Sequence, residues 1–354
     1  MGYLLRHALQ LVSAVVIGCT FLCYLAPFVS PAFFRWLAFF GTAFPWLLFG
    51  HLLLAAVWVF RLHRYAIYHV GMIALGWTHV TAFIGLNVGQ QVAPAGAIVV
   101  ASHNVGGLFR GIHLEQEEWD SIITHYVRIW KEGISPTVLC VQETSRKFFL
   151  RLGPRLGFPH VFELGRSGTA ILSQYPVLRG GWLPFEEPEN TSMWADLQVG
   201  QHIVRVYNVH LQSNRVTYDT QRIVKEAPID SKDTWKGVGQ VIRKVGDATA
   251  IRARQAKMLR NSIASCPYPV IVCGDFNDTP TSYVYNQVSK GLKDTFRERG
   301  FGWGTTFGGA IPFLRIDYVL CAPVFEVYSC QVIRCDISDH YPVVAAISLS
   351  EQEQ

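Results

Sequence analysis

The sequence predicts an α/β sandwich carried behind an apolar, membrane-spanning head. Three observations predict it. Every acidic residue and all but four of the basic ones fall after residue 92. Three long stretches that begin before that point, 7–34, 36–60 and 65–109, carry no Asp, Glu, Lys or Arg. After it, short β-rich runs recur with helical stretches between some of them, the pattern of an α/β fold rather than a helix bundle.

Of 354 residues, 50% are hydrophobic and only 16% charged, which excludes disorder and leaves ample material for a core. Residues 1–92 hold Arg6, Arg35, Arg61 and Arg64 and no other charge. A helix crossing the hydrocarbon needs about 20 apolar residues. Three spans are therefore expected, Ala8–Phe28, Trp36–Phe60 and Tyr65–Leu86. Pro27 and Pro31 mark the first turn, and Pro45 is expected to kink the second span. Trp36, Trp46, Trp58 and Trp77 suit interfacial or lipid-facing positions. None of the three shows the polar face of a soluble helix. A cleaved leader would account for the first span only, and no convincing small-residue cleavage site follows it.

Arg6, Arg61 and Arg64 fall on one side of such a topology and Arg35 on the other. The excess places the amino terminus and the 61–64 loop in the cytoplasm. The expectation is a multi-pass integral membrane protein. Residues 1–90 form its transmembrane region of three helices, and residues 91–354 form an exoplasmic domain, periplasmic or extracellular. The lipid bilayer is then a partner, and no obligate protein partner is inferred.

The net charge of +5 divides into +4 on the head and +1 on the rest. A near-neutral soluble part argues against a dedicated, strongly basic nucleic-acid binder. Its expected strands are Ala97–Ser102, Thr137–Gln142, Thr169–Ser173, Ile203–Leu211, Val270–Cys273, Ile316–Cys321 and Val343–Leu349. Expected helices are Trp119–Trp130 and the basic, amphipathic Ala250–Ala264. Residues 214–249 are polar and lack a clear period, as a long insertion or lid would. The link from Leu86 to the first strand spans at most roughly 35 Å, which keeps the domain near the bilayer. Cys140 and Cys273 lie in apolar strand runs, while Cys266, Cys321, Cys330 and Cys335 are either buried thiols or pairs. With no Cys-x-x-Cys, a structural zinc site is not expected.

Six short motifs each end or flank a strand with polar residues. They are Ser102-His103-Asn104-Val105, Val141-Gln142-Glu143, Asn208-Val209-His210-Leu211, Gly274-Asp275-Phe276-Asn277, Arg315-Ile316-Asp317-Tyr318 and Ser338-Asp339-His340-Tyr341-Pro342. Singly each is weak, since a Gly-Asp-x-Asn is usually a turn and a lone strand histidine usually structural. Together they bring hard chemistry to one sheet edge. Glu143 and Asp339 are oxygen ligands of the kind that suits Mg²⁺ or Mn²⁺. Asp275 and Asn277 are two apart, so in an extended segment both point the same way. His210 and His340 can stabilise or protonate a phosphoryl oxygen, and Asp317 can hold His340 in one tautomer. Water serves as nucleophile. Ser338-Asp339-His340 is not a serine-hydrolase triad, whose members meet through the fold and not by adjacency.

At these residues the chain resembles the endonuclease/exonuclease/phosphatase superfamily, the deoxyribonuclease-I-like fold, over about residues 97–349. The resemblance implies a four-layer sandwich of two packed β-sheets flanked by helices. It implies Mg²⁺-dependent hydrolysis of phosphoesters in nucleic acids, inositol phosphates or sphingomyelin. It makes Glu143 the principal metal ligand, aided by Asn104 and Asp339. Asp275 becomes the residue that orients or deprotonates water, Asn277 the phosphate-orienting amide, and His210 and His340 the phosphate-binding pair. Gly168-Thr169-Ala170-Ile171-Leu172-Ser173-Gln174-Tyr175-Pro176 resembles the family's central strand, but it lacks the carboxylate that some nucleases of the family set there to pair with the first histidine. Arg166 is either a phosphate contact or an exposed structural residue.

Two substrates stay open. The favoured one is a lipid headgroup or other envelope phosphoester, taken by a membrane-anchored phosphodiesterase. The alternative is DNA or RNA, taken by a membrane-anchored endo- or exonuclease, with Arg252, Arg254, Lys257 and Arg260 either touching a nucleic-acid backbone or lining a solvated helix face. A non-enzymatic scaffold is disfavoured because every expected site position is filled.

Overall fold

A computed structural model describes residues 2–89, 91–106, 116–165, 168–186, 191–214, 232–309 and 311–350. The chain begins with helix α1 (Gly2–Leu25), whose segment Tyr3–Leu25 is long and apolar enough to cross a membrane. It is the one described helix of which this holds, where three spans were expected. The second expected span is two helices, α2 (Leu37–Thr42) and α3 (Phe44–Phe60). Pro45 does not kink a helix but starts one, where its missing N–H costs nothing. At 1.5 Å per residue α3 is about 25 Å long, short of a hydrocarbon core of about 30 Å. The third expected span divides at Gly76 into α4 (Tyr65–Leu75) and α5 (Trp77–Phe83) and then turns extended as β1 (Ile84–Leu86). Gly76 is required there, because a β-carbon would stand 2.0 Å from the Tyr24 hydroxyl.

The head is apolar outside and partly polar inside. Leu53, Phe60, Ile67 and Leu75 are exposed, while Ser13, Thr20, His51 and His69 are buried. Thr20 Oγ1 lies 2.8 Å from His51 Nε2, and the Trp58 indole donates to Ser13 Oγ at 2.9 Å. Arg6 meets His63, so Arg6 and the 61–64 loop share one end of the head.

Two six-stranded sheets form the rest. One orders β13 (Phe325–Val332), β14 (Val343–Leu349), β2 (Ile98–Asn104), β3 (Val138–Gln142), β5 (Ala170–Ser173) and β4 (His160–Phe162). The other orders β10 (Lys293–Asp294), β12 (Asp317–Cys321), β9 (Val270–Asp275), β8 (His202–His210), β7 (Met193–Val199) and β6 (Val177–Trp182). A short ladder pairs β1 with β11 (Phe301–Trp303). Alternation along each strand sets two faces. Ile98, Val100, Val138, Cys140, Val204, Val206, Ile271, Cys273, Val319, Val343 and Ala345 make the core between the sheets. The opposite parity packs outward. Ala101, Leu139 and Val141 meet Trp119, Ile123, Tyr126 and Trp130 of α6 (Gln116–Glu132) and Phe148 and Leu152 of α7 (Arg146–Leu156). Tyr207, Val209, Val272 and Leu320 meet Ala256 and Leu259 of α8 (Lys232–Ala264) and Val284 and Val288 of α9 (Tyr283–Ser289). Helix, sheet, sheet, helix is the four-layer arrangement expected.

The seven expected strands are all present, within a few residues at each end. Expectation fell short at α8, which begins at Lys232 rather than Ala250; residues 215–231 of the expected lid lie outside the described ones. Strands β1, β4, β6, β7, β10, β11 and β13 were not anticipated. All eight cysteines are free thiols.

The head is not a tether hanging from a linker. Thr281 Oγ1 donates to the Gly41 carbonyl at 2.7 Å and Asn286 Nδ2 to the Pro27 carbonyl at 2.9 Å. Arg315 Nη1 donates to the Ala82 carbonyl at 2.8 Å, and the Gly304 N–H to the Phe83 carbonyl at 2.9 Å. Phe49 stacks on Trp303 with ring centres 5.7 Å apart, and Arg35 pairs with Asp247 at 2.6 Å.

Candidate active site

The strand parity that builds the inter-sheet core also builds the site. Continuing each inward-facing series to the strand end gives Asn104 after Val100, Gln142 after Cys140, His210 after Val206 and Asn208, and Asp275 after Cys273. Asp317 stands at the start of β12, in the same series as Val319 and Cys321. Register does the rest. His210 is paired across the ladder with Asp275, and Asp275 with Asp317. The polar groups therefore collect where the cleft between the sheets opens.

Asp275 is the hub, buried at 1% exposure. Its Oδ2 accepts from Asn104 Nδ2 at 2.9 Å and from Asn277 Nδ2 at 3.0 Å, and its Oδ1 from the Asn277 N–H at 2.7 Å. His210 Nε2 and His340 Nε2 each stand 3.9 Å from Oδ2. Burial, with the neighbouring Asp317 charge, pushes the Asp275 carboxyl up to about 6, against the pull of both histidines. His340 Nδ1 lies 3.0 Å and 3.2 Å from the two oxygens of Asp317. Burial alone would lower the imidazole, but Asp317 and Asp275 outweigh it and lift His340 to about 10. Glu143, one residue beyond β3, sets Oε1 3.4 Å from His210 Nε2 and 3.4 Å from Asn104 Nδ2. Glu143 and Asn277 both hold φ near +52°, a left-handed conformation non-glycine residues rarely keep without tertiary support.

Asp339 stands at the rim beside Gly106, whose φ is +63° and where a β-carbon would come within 2.8 Å of Asp339 Oδ1. Ser338 Oγ donates to the Asn104 carbonyl at 2.9 Å and so ties the segment before His340 to β2. Gly274 is forced by the parallel pairing, since its φ is +139° and a β-carbon would lie 1.9 Å from the Val209 carbonyl oxygen. All eight expected site residues thus lie in the hydrogen-bonded strand ends and loops of one cleft mouth. One expected role changes. The Asn277 amide is committed to Asp275 and to the Leu211 carbonyl, at 3.0 Å each, so it orients the carboxylate.

Four carboxylates, Glu143, Asp275, Asp317 and Asp339, and two imidazoles share this mouth. Even with both imidazoles protonated, two negative charges remain, which a divalent cation would balance. The donors are hard oxygens, so the set fits Mg²⁺ or Mn²⁺. Asp275, Asp317 and His340 form a buried group whose ligand atoms lie within 4.8 Å of one another.

Several residues that shape the site had no expected role. Gln142 Nε2 donates to Asn208 Oδ1 at 2.7 Å and to Ser102 Oγ at 3.2 Å, and Asn208 Nδ2 to the Val141 and Ala170 carbonyls. This polar layer joins the two sheets directly beneath the site. His103 points the other way. Its Nε2 lies 3.1 Å from the His340 carbonyl, which can only accept, so Nε2 carries the proton and Nδ1 accepts from the Tyr126 hydroxyl at 3.0 Å. Thr306 Oγ1 accepts from the N–H groups of Ile316 and Asp317 at 2.9 Å and 3.0 Å. Arg315, fully buried, pairs with Asp294 at 2.5 Å. The motifs contained Gln142, Asn208, His103 and Arg315, but their partners are distant in sequence.

Two residues weighed for phosphate-backbone contact are engaged inside the fold. Arg252 is buried against Asp278 at 3.4 Å and donates to the Gln212 carbonyl and to Asn214 Oδ1. Arg260 donates to the Lys290 carbonyl. Arg166 lies outside the described residues.

Residues 101–340 match the family described as Endonuclease/Exonuclease/phosphatase family, and residues 6–83 match a family described as Domain of unknown function (DUF8431). No curated protein matches the chain. Among similar solved structures is an endonuclease/exonuclease/phosphatase family protein from Bacteroides thetaiotaomicron, at 14% identity and TM-score 0.51, covering 72% of this chain and 98% of its own. A D. rerio TDP2 humanized by 14 mutations has 15% identity and TM-score 0.51, over 72% and 100% of the two chains. A mannosyl-6-phosphatase from Bacteroides thetaiotaomicron has 16% identity and TM-score 0.51, over 71% and 100%. Identities this low speak to the fold and not to the substrate.

Proposed function

We propose, from the premise that this chain belongs to the Endonuclease/Exonuclease/phosphatase family, that it is a membrane-anchored phosphodiesterase acting on a lipid headgroup or other envelope phosphoester. Members of that family are phosphoester hydrolases and typically depend on a divalent metal. The observation that carries the reading is the gathering of two imidazoles and the Asn104 amide around the buried Asp275, with three further carboxylates, Glu143, Asp317 and Asp339, at the same mouth of the inter-sheet cleft.

Asn104, Glu143 and Asp339 would hold the metal, Mg²⁺ by preference or Mn²⁺. When bound, it neutralises charge on the phosphoryl group and polarises a phosphoryl oxygen. The protein's own groups supply the remaining chemistry. Asp275, fixed by three donors and raised to about 6, accepts the proton of the attacking water near neutral pH. Asn277 and Asn104 hold its rotamer. His340, protonated and oriented by Asp317, donates to the phosphoryl oxygen on which charge develops. His210, beside Glu143, offers a second donor in the same place.

The anchor in this reading is α1. Its apolar length, the apolar outer face of the head and the polar groups inside it support a lipid surrounding. The catalytic domain, residues 91–354, meets the head at the Leu25 end of α1, where Asn286 donates to the Pro27 carbonyl, and so lies on the side opposite the amino terminus. Helices α3 and α4 carry the 61–64 loop back to the Arg6 end. With Arg6 in the cytoplasm that domain is exoplasmic. The lipid reading is supported by a catalytic domain held by direct hydrogen bonds against an apolar head. The nuclease reading loses Arg252 and Arg260 as backbone contacts, since both are engaged within the fold.

Parallel assays on phospholipid vesicles, on DNA or RNA and on a soluble inositol phosphate, each in Mg²⁺ and in chelator, test the proposal. Turnover of the lipid that chelator abolishes and that depends weakly on salt is the expected result. Turnover of nucleic acid alone, with affinity falling at a log–log slope of about −0.7 to −0.9 per phosphate contacted, would replace it with the nuclease.

A further inference from the structure

A second cavity, of about 520 Å³, opens on the flank of the catalytic domain where the head joins it. Its volume falls in the range of about 300–1,000 Å³ usual for small-ligand sites. Asn87 and Val88 of the link after β1, Phe301 and Trp303 of β11, and Arg299 and Arg334 are among the residues that line it. Among the described residues that line it there is no Asp or Glu. Arg299 anchors one edge of its guanidinium by donating Nε to the Val327 carbonyl at 2.9 Å. Arg334 is exposed and lies over the Tyr341 ring at 4.4 Å. The apolar part of the wall faces the head, because Trp303 stacks on Phe49 of α3. Val88 and Phe301 expose 87% and 69% of their surface at its edge.

Two guanidiniums without a lining carboxylate ask for an anion, and Arg suits phosphate. The adjoining aromatic and aliphatic surface, continuous with the apolar head, asks for a ligand that is also apolar. We propose that this cavity binds an anionic phospholipid, its phosphodiester between Arg299 and Arg334 and its glyceride end against Val88, Phe301 and Trp303. The site is separate from the catalytic cleft and does not depend on which phosphoester that cleft hydrolyses. It fixes the catalytic domain on an anionic leaflet and so adds a charge-selective contact to the apolar one made by α1.

The test uses the full chain in a neutral maltoside detergent with excess chelator, so that the catalytic mouth keeps its uncompensated carboxylates and repels anions. Dihexanoyl phosphatidylglycerol, dihexanoyl phosphatidylcholine and inorganic phosphate are titrated in turn and read by calorimetry. Phosphatidylglycerol is expected to bind at least about tenfold more tightly than either of the others. Arg299→Gln combined with Arg334→Gln should weaken it by at least about tenfold, about the loss of one charged contact. Val88→Glu, at an exposed position that leaves the core untouched, should weaken it as well, and Glu143→Gln should bind as the parent does. Equal binding of the two lipids, equal binding of phosphate alone, or parental affinity in the double arginine variant or in Val88→Glu would each overturn the site. Hydrolysis is not read in this titration, so its outcome stands apart from that of the assays on the catalytic cleft.

Discussion

Asp317→Asn isolates the step that most depends on geometry. The carboxylate is buried, and both of its oxygens lie within 3.2 Å of His340 Nδ1. The amide keeps the shape and one acceptor but removes the charge. Backbone placement should persist, since the Asp317 N–H stays on Thr306 Oγ1 and the ladder to Asp275 is unchanged. A hydrogen bond to a charged group contributes about 1.5–3 kcal/mol, and 1.36 kcal/mol is tenfold in rate, so kcat should fall roughly 10- to 150-fold. KM should change little, because the imidazolium matters most in the transition state. The assay is steady-state hydrolysis of bis(p-nitrophenyl) phosphate in Mg²⁺. In a His340→Ala background the further loss should almost vanish, because the two groups act as a unit. The pH profile adds a signed check. His340 is protonated below a value raised to about 10, and its function is lost as pH rises through that value. Without Asp317 the alkaline fall must move to lower pH. Losses that simply multiply in the double variant, or an unmoved alkaline limb, would refute the pairing.

Four further outcomes are expected. Glu143→Gln removes one negative charge from the metal site and should lower turnover of any phosphoester at least about a hundredfold while the fold survives; near-normal rates would remove it from metal binding. Gly274→Ala places a β-carbon against the Val209 carbonyl at φ +139° and should destabilise the protein by at least about 2 kcal/mol, so an unchanged Tm would contradict the β8–β9 register. Arg315→Met leaves Asp294 buried without its cation and should cost about 3–5 kcal/mol in thermal melts of the full chain, whereas Arg315→Lys, which keeps a cation, should cost less. Burial would raise the Asp196 carboxyl, but hydrogen bonds from Arg205 and Arg179 hold it below the usual carboxylate value. Its stabilisation is therefore complete above about pH 4 and fades as pH falls through the lowered value, and Asp196→Asn should flatten that part of the stability–pH curve.

How far the sequence could be read follows from where each signal lies. Ile271, Cys273 and Asp275 show parity and site in one line of residues, and so do Val204, Val206 and His210. That is why the strands that carry Asn104, His210, Asp275 and Asp317 are legible in the sequence. The interior of the head is not. Hydropathy reports composition, whereas the break at Gly76 depends on Tyr24, and Gly41 lies so close to the Thr281 carbonyl that a β-carbon would stand 2.8 Å from it. Strand β6 hid behind Gly180-Gly181, and β13 behind the register shift between Val327 and Ser329. The first half of α8 does carry an apolar series at helical spacing, Trp235, Val238, Val241, Ile242 and Val245, but Gly237, Gly239 and Gly246 interrupt it and mask the helix. Arg252 reads from sequence as either a backbone contact or a solvated helix-face charge, because its partner, Asp278, belongs to a loop that only the fold brings near.

Four hydrogen bonds across the seam between head and catalytic domain run one way, and Arg35, donating to Asp247, runs the other. On the catalytic side the donors are three side chains, of Thr281, Asn286 and Arg315, and one backbone N–H, of Gly304. On the head side all four acceptors are main-chain carbonyls, those of Gly41, Pro27, Ala82 and Phe83. A carbonyl survives any replacement of its own side chain that leaves the backbone in place. Away from Gly41, Arg35 and Phe49, whose own identities touch the catalytic side, substitutions in the head therefore leave these four bonds in place. The same freedom is denied to Thr281, Asn286 and Arg315, whose identities alone supply the donors. Sequence constraint at these four bonds therefore falls on the catalytic partner, while the head contributes chain path rather than side-chain identity.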